Sequence, residues 1–136
     1  MKRILLVGFV LASLSSCQLP PERAALRPLP NDGPPLPYAE LLTRARLQAT
    51  IATEAFYVNR WQDLEDAAHG LEQTARYLAK AEDVPAKQKG TLGAHSGDLN
   101  KEAGRLLEAA KAKNVKEANT ALQRIHLMVR ELRLDQ

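Results

Sequence analysis

The side chains capable of chemistry are few and far apart in the sequence. Cys17 is the one cysteine, so no intramolecular disulfide can form, and any covalent chemistry of sulfur belongs to that position. His69, His95 and His126 are the three histidines and the candidate metal ligands, because an imidazole nitrogen suits zinc or copper. Ser96 has no predictable base and orienting carboxylate around it. No glycine-rich loop stands ahead of a helix to cradle a phosphate, and Glu65-Asp66 and Glu82-Asp83 read as solvated acidic pairs. No catalytic residue is assigned, and neither enzyme activity nor a bound cofactor is expected.

The context of Cys17 carries the most specific signal in the chain. Lys2 and Arg3 open a basic start, and an apolar run from Ile4 to Leu14 follows, interrupted only by Gly8 and Ser13. This pattern reads as a secretory signal peptide over residues 1–16. The run is too short to span a bilayer, which takes about 20 predominantly apolar residues. Leu14-Ser15-Ser16-Cys17 then gives a small-residue cleavage site with a cysteine directly after it. The arrangement resembles the lipobox of bacterial lipoproteins. That resemblance implies that the Cys17 thiol receives a diacylglycerol and becomes the acylated first residue of the mature chain. It makes the membrane a partner through the lipid on Cys17. Gln18, rather than an aspartate, follows the cysteine; by resemblance to Gram-negative lipoproteins this implies the cell envelope, at the periplasmic face of the outer membrane.

Loss of residues 1–16 removes two of the 19 basic residues and none of the 16 acidic ones, which leaves a formal side-chain charge of +1. A near-neutral surface with both signs interspersed lacks the basic stripe that nucleic acid requires, so no nucleic-acid partner is expected.

The elements that would position these groups follow from proline and the apolar spacing. Residues 17–37 hold seven of the eight prolines and read as an extended, polyproline-like tether. Residues 38–136 are rich in Ala, Leu, Glu, Lys, Arg and Gln, all strong helix formers, and make one domain. A first helix over about 38 to 57 aligns Tyr38, Leu41, Leu42, Ala45, Ala49, Ala52 and Phe56. Asn59 reads as a break, leaving open whether the first two helices join. A second helix over about 60 to 81 carries Trp61, Leu64, Ala68, Leu71, Ala75 and Leu78. Asp83 and Pro85 read as the cap and first turn of a third, with Leu92, Ser96, Leu99, Ala103, Leu106 and Ala110 as its seam. Gly90, Gly93, Gly97 and Gly104 along it are expected to permit close helix approach. Asn114 marks a turn before a fourth helix with Val115, Ala118, Leu122, Ile125, Val129 and Leu132. Short connections between such segments predict an all-α, up-down-up-down four-helix bundle.

The apolar positions, with Trp61-Gln-Asp-Leu64, Leu71-Glu-Gln-Thr-Ala75 and Leu106-Leu-Glu-Ala-Ala110-Lys, resemble the cytochrome c′ and cytochrome b562-like bundles over most of residues 38–134. The c-type members carry Cys-x-x-Cys-His on the last helix. Here Ile125 and Met128 stand at the two cysteine positions and Val129 at the ligating histidine, so covalent haem attachment is ruled out. A b562-type site would pair a first-helix methionine with a last-helix histidine; residues 38–60 hold no methionine, and His126 flanks the seam. With the seams as a and d, His69 falls at b, His95 at g and His126 at e, so the three share no inward face.

The remaining readings are functional classes. The leading one is a non-catalytic envelope lipoprotein that presents a helical bundle to an unidentified protein partner. The alternative is a degenerate cytochrome-like bundle that binds a metal ion or small ligand. Leu47, Ile51 and Val58 point opposite the core face of the first helix and form a stripe through which a two-fold homodimer could assemble, as resemblance to cytochrome c′ dimers also implies.

Overall fold

A computed structural model describes residues 27–133. Among these the chain is all-helical, with α1 at Tyr38–Tyr57, α2 at Trp61–Leu78, α3 at Ala86–Lys89, α4 at Leu92–Lys111 and α5 at Val115–Glu131. Among the described residues the only strand-like feature is one isolated bridge between Pro37 and Glu82.

The question of continuity between the first two helices resolves at Asn59, whose φ of 56° turns the chain left-handed. Arg60 N–H donates to the Ala55 carbonyl at 2.9 Å and Asn59 N–H to that of Phe56 at 3.2 Å, the paired bonds of a Schellman stop. The α4–α5 turn repeats this scheme. Lys113 has a φ of 51°, Asn114 N–H reaches the Ala109 carbonyl at 2.8 Å, and Lys113 N–H reaches that of Ala110 at 3.0 Å. Asn114 then caps α5 by accepting the Glu117 N–H at 3.1 Å.

These two helical hairpins correspond position by position, 54 residues apart in the numbering. Ala45, Ala49, Ala52 and Ala55 on α1 match Leu99, Ala103, Leu106 and Ala109 on α4, while Leu64, Ala68, Leu71, Ala75 and Leu78 on α2 match Ala118, Leu122, Ile125, Val129 and Leu132. All of these are buried. The helices pack α1 on α2, α2 on α4, α4 on α5 and, most loosely, α5 on α1. Seven leucines and Ile125, all fully buried and running from Leu41 to Leu132, anchor the common core, each contributing about 1.5–3 kcal/mol by removal from water.

The third helix does not open at Asp83 and Pro85. Asp83 is left-handed at φ 54°, unlike the extended backbone of an N-cap, and Pro85 is itself the N-cap of the single-turn α3. A second start at Thr91 opens α4. Val115 is 57% exposed, because it sits in the first turn of α5 beyond the end of the core. Leu42, Phe56 and Trp61 are half-buried. Gly90, Gly93 and Gly97 face open space, so they do not serve helix contact.

Residues 29–37, which fall in the expected tether, lie docked on the hairpin of α1 and α2. Leu29 and Leu36 pack against the core. The Leu29 N–H donates to Gln73 Oε1 at 3.2 Å, Tyr77 donates its phenol hydrogen to the Pro30 carbonyl, and Lys80 donates to the Gly33 carbonyl at 2.9 Å. Glu82 N–H reaches the Leu36 carbonyl at 3.0 Å, and Tyr38 N–H reaches Glu82 at 2.9 Å. Proline has removed donors from this strap, so beyond the short backbone bridge to Glu82 it is held by the side chains of Gln73, Tyr77 and Lys80, which meet one amide and two carbonyls.

Candidate functional site

Cys17, expected from the sequence to carry a lipid, lies outside the described residues.

The histidines stand apart. His69 on α2 sets Nδ1 3.3 Å from Glu72 Oε2, one helical turn along. His95 on α4 is half-buried, and its Nδ1 has no partner. His126 on α5 is exposed, with Nε2 2.7 Å from Thr53 Oγ1 of α1. Among the described residues, no three or more His, Cys, Asp or Glu side chains form a group that could hold a metal ion. Ser96 is buried, and its hydroxyl donates to the Gly93 carbonyl of its own helix at 3.1 Å, without a base beside it.

Ile125 and Val129, at positions where the cytochrome resemblance would place haem chemistry, are buried in the common core, and Met128 packs against it. The stripe on α1 is divided. Ile51 leans on the core and, with Asp63, Asp66, Ala67 and Gly70 of α2, lines a cleft of about 230 Å³. Leu47 is half-buried, and Val58 alone stands clear at 59% exposure. Ile51 is covered on the flank where α2 banks against α1.

A buried polar set escaped the sequence reading. Arg44 is 5% exposed and donates through Nη2 to the Arg27 carbonyl, while its Nε has no partner. Burial pulls its guanidinium below the usual range, against the opposing influence of Glu40 and Tyr77. Gln48 Oε1 accepts the Thr74 hydroxyl at 2.8 Å, with both groups buried. At the matching position of the other hairpin is Glu102. Its Oε1 accepts from Arg105 and, at 3.4 Å, from Arg124, and its Oε2 is unpartnered. Arg124 in turn matches Gly70, the residue that Gln48 touches. One hairpin thus sets an amide over a glycine where the other pairs a carboxylate with an arginine. The one available signal was Gly70, a lone glycine inside a strong helical pattern.

An open groove of about 670 Å³ along α4 is bordered by charges of both signs, including Glu72, Lys101, Arg105 and Glu108. It holds no nucleophile paired with a base. No described helix is long and apolar enough to cross a membrane. No family model matches the chain, and neither the curated proteins nor the solved structures give a significant match.

Proposed function

We propose that this chain is a lipid-anchored envelope protein whose helical domain acts without catalysis, as a structural or protein-interaction module. The observation that carries this reading is Leu14-Ser15-Ser16-Cys17 directly behind a short export signal. The finer architecture proposed is an up-down-up-down four-helix bundle. Support for it comes from the bond between the start of α1 and Glu82 just beyond α2, and from the Tyr38 phenol reaching the Leu132 carbonyl beyond α5. The non-catalytic reading draws support from Ser96, tied to its own helix, and from the separation of the three histidines. A degenerate cytochrome-like ligand site draws less support, since Ile125 and Val129 belong to the packed core. Self-association through Leu47, Ile51 and Val58 is weakened as a reading by the packing of Ile51.

Metabolic labelling tests the anchor. The full chain, expressed in a Gram-negative host, should incorporate radiolabelled fatty acid and fractionate with the outer membrane. Cys17→Ser should remain an unlabelled precursor. Equal labelling of the serine variant would remove the lipoprotein assignment.

A further inference from the structure

Arginines that converge elsewhere in this molecule do so on an acid: Arg105 and Arg124 meet at Glu102. The loosely packed side between α1 and α5 departs from that arrangement. There Arg46, Arg130, Arg133 and His126, with Thr50 and Val129, line a cleft of about 250 Å³. None of these three arginines forms an ion pair among the described residues. The sequence gives them no helical partner either. The neighbours of Arg46 at three and four residues are Leu42, Thr43, Ala49 and Thr50, while Arg130 has His126, Leu127, Arg133 and Leu134. Arg130 and Arg133 are therefore like charges one turn apart, an arrangement that repels.

Arg130 and Arg133 gain from the carboxyl end of α5, where the helix dipole favours cations. Arg46 stands in the middle of α1 and gains nothing there, yet it faces the same cleft. His126 is held at the cleft wall. Its Nε2 lies 2.7 Å from Thr53 Oγ1, which also meets the Ala49 carbonyl at 2.9 Å.

We propose that this cleft binds a phosphate-type oxyanion. Its volume falls below the roughly 300–1,000 Å³ of organic ligand sites, which favours a small ion or headgroup. Three planar guanidinium forks suit the several oxygens and multiple charge of a phosphate better than the two oxygens of a carboxylate. The inference does not depend on the lipid anchor. A free phosphate ester and a phospholipid headgroup share this chemistry.

The test uses the purified full chain in a neutral detergent, titrated calorimetrically at constant ionic strength with inorganic phosphate, glycerol phosphate and short-chain phosphatidylglycerol. Saturable binding of at least one is expected, and chloride should not displace it. Arg46→Gln and Arg130→Gln should each weaken it about tenfold, with circular dichroism unchanged. These side chains are exposed, and the control variant Arg76→Gln on α2 should bind normally. Binding led by phosphatidylglycerol would support the site with a lipid source; comparable binding of the soluble ligands would support it with a free ester. Lack of saturable binding by all three, or equal binding by the Arg46 and Arg130 variants, would overturn the proposal.

Discussion

The side-chain amide of Gln48 on α1 lies against the bare Cα of Gly70 on α2, so that a Cβ on the glycine would stand 2.7 Å from Gln48 Nε2. The amide is not free to retreat, because it is 4% exposed and bonded to Thr74. This contact fixes how closely α1 and α2 approach at mid-height.

Gly70→Ala should therefore destabilise the protein by about 1–2 kcal/mol, because overpacking outweighs the helix-propensity gain of about 1 kcal/mol. In a Gln48→Ala background the same change should become stabilising. Urea denaturation of the four-member cycle measures the reversal of sign.

Gly93→Ala and Gly97→Ala should behave in the opposite way. Both positions are helical and open to solvent, so each change should stabilise by up to about 1 kcal/mol. A loss of stability in thermal denaturation would count against the placement of these glycines on the outer face of α4.

Lys113 holds a left-handed backbone without the freedom of glycine. Lys113→Gly should raise stability by about 0.5–1 kcal/mol by relieving that strain. Asn59→Gly should change it less, since asparagine tolerates the conformation. Parallel denaturant titrations compare the two equivalent turns.

Tyr77→Phe should cost about 1 kcal/mol and loosen the strap, because the Pro30 carbonyl loses its donor. Hydrogen exchange should show faster exchange at the Leu29 amide with little change in α4. Exchange that accelerates uniformly would mean that the strap and core open as one unit.

Tyr38 gives an alkaline signature. Its phenol is buried, donates to the Leu132 carbonyl, and is pushed above its ordinary value of 10.0 by loss of solvent. The folded state thus favours the neutral form. Its contribution is fully present below the ordinary value and is lost as pH rises through the folded one. Tyr38→Phe should be less stable by about 1 kcal/mol near neutrality. That deficit should shrink in alkali, as read from denaturation midpoints of the two proteins.

The parts of the fold legible in sequence were those encoded locally. The three-four spacing from Leu64 to Leu78 marked the buried face of α2, and Asn59 and Asn114 marked the turns because asparagine tolerates left-handed backbone and caps helices. The start of α4 was misplaced because Pro85 begins only a single turn before the chain restarts at Thr91. The docked strap was hidden for a different reason: Gln73, Tyr77 and Lys80 lie more than forty residues from the carbonyls and amide they hold. Similarly, Arg46 and Arg130 look like ordinary surface cations until α1 and α5 are laid side by side. Gln48 and Glu102 occupy flanks of the seam, where a polar residue is usually solvated, and only the opposing helix decides otherwise.

The strap also alters the leverage of an N-terminal attachment. Because the chain doubles back along α1 and α2 and the Arg27 carbonyl is held by Arg44, its path leaves the domain from a flank, not from the pole at Pro37. If Cys17 carries the anchor proposed here, the ten residues up to Arg27 can reach roughly 35 Å at most, little more than the length of α1 itself, about 30 Å for its 20 residues. The domain would then ride at short range on a side-mounted leash that biases its flank toward the bilayer. Release of the strap would lengthen the leash by the residues from Arg27 to Pro37 and move the pivot to the pole.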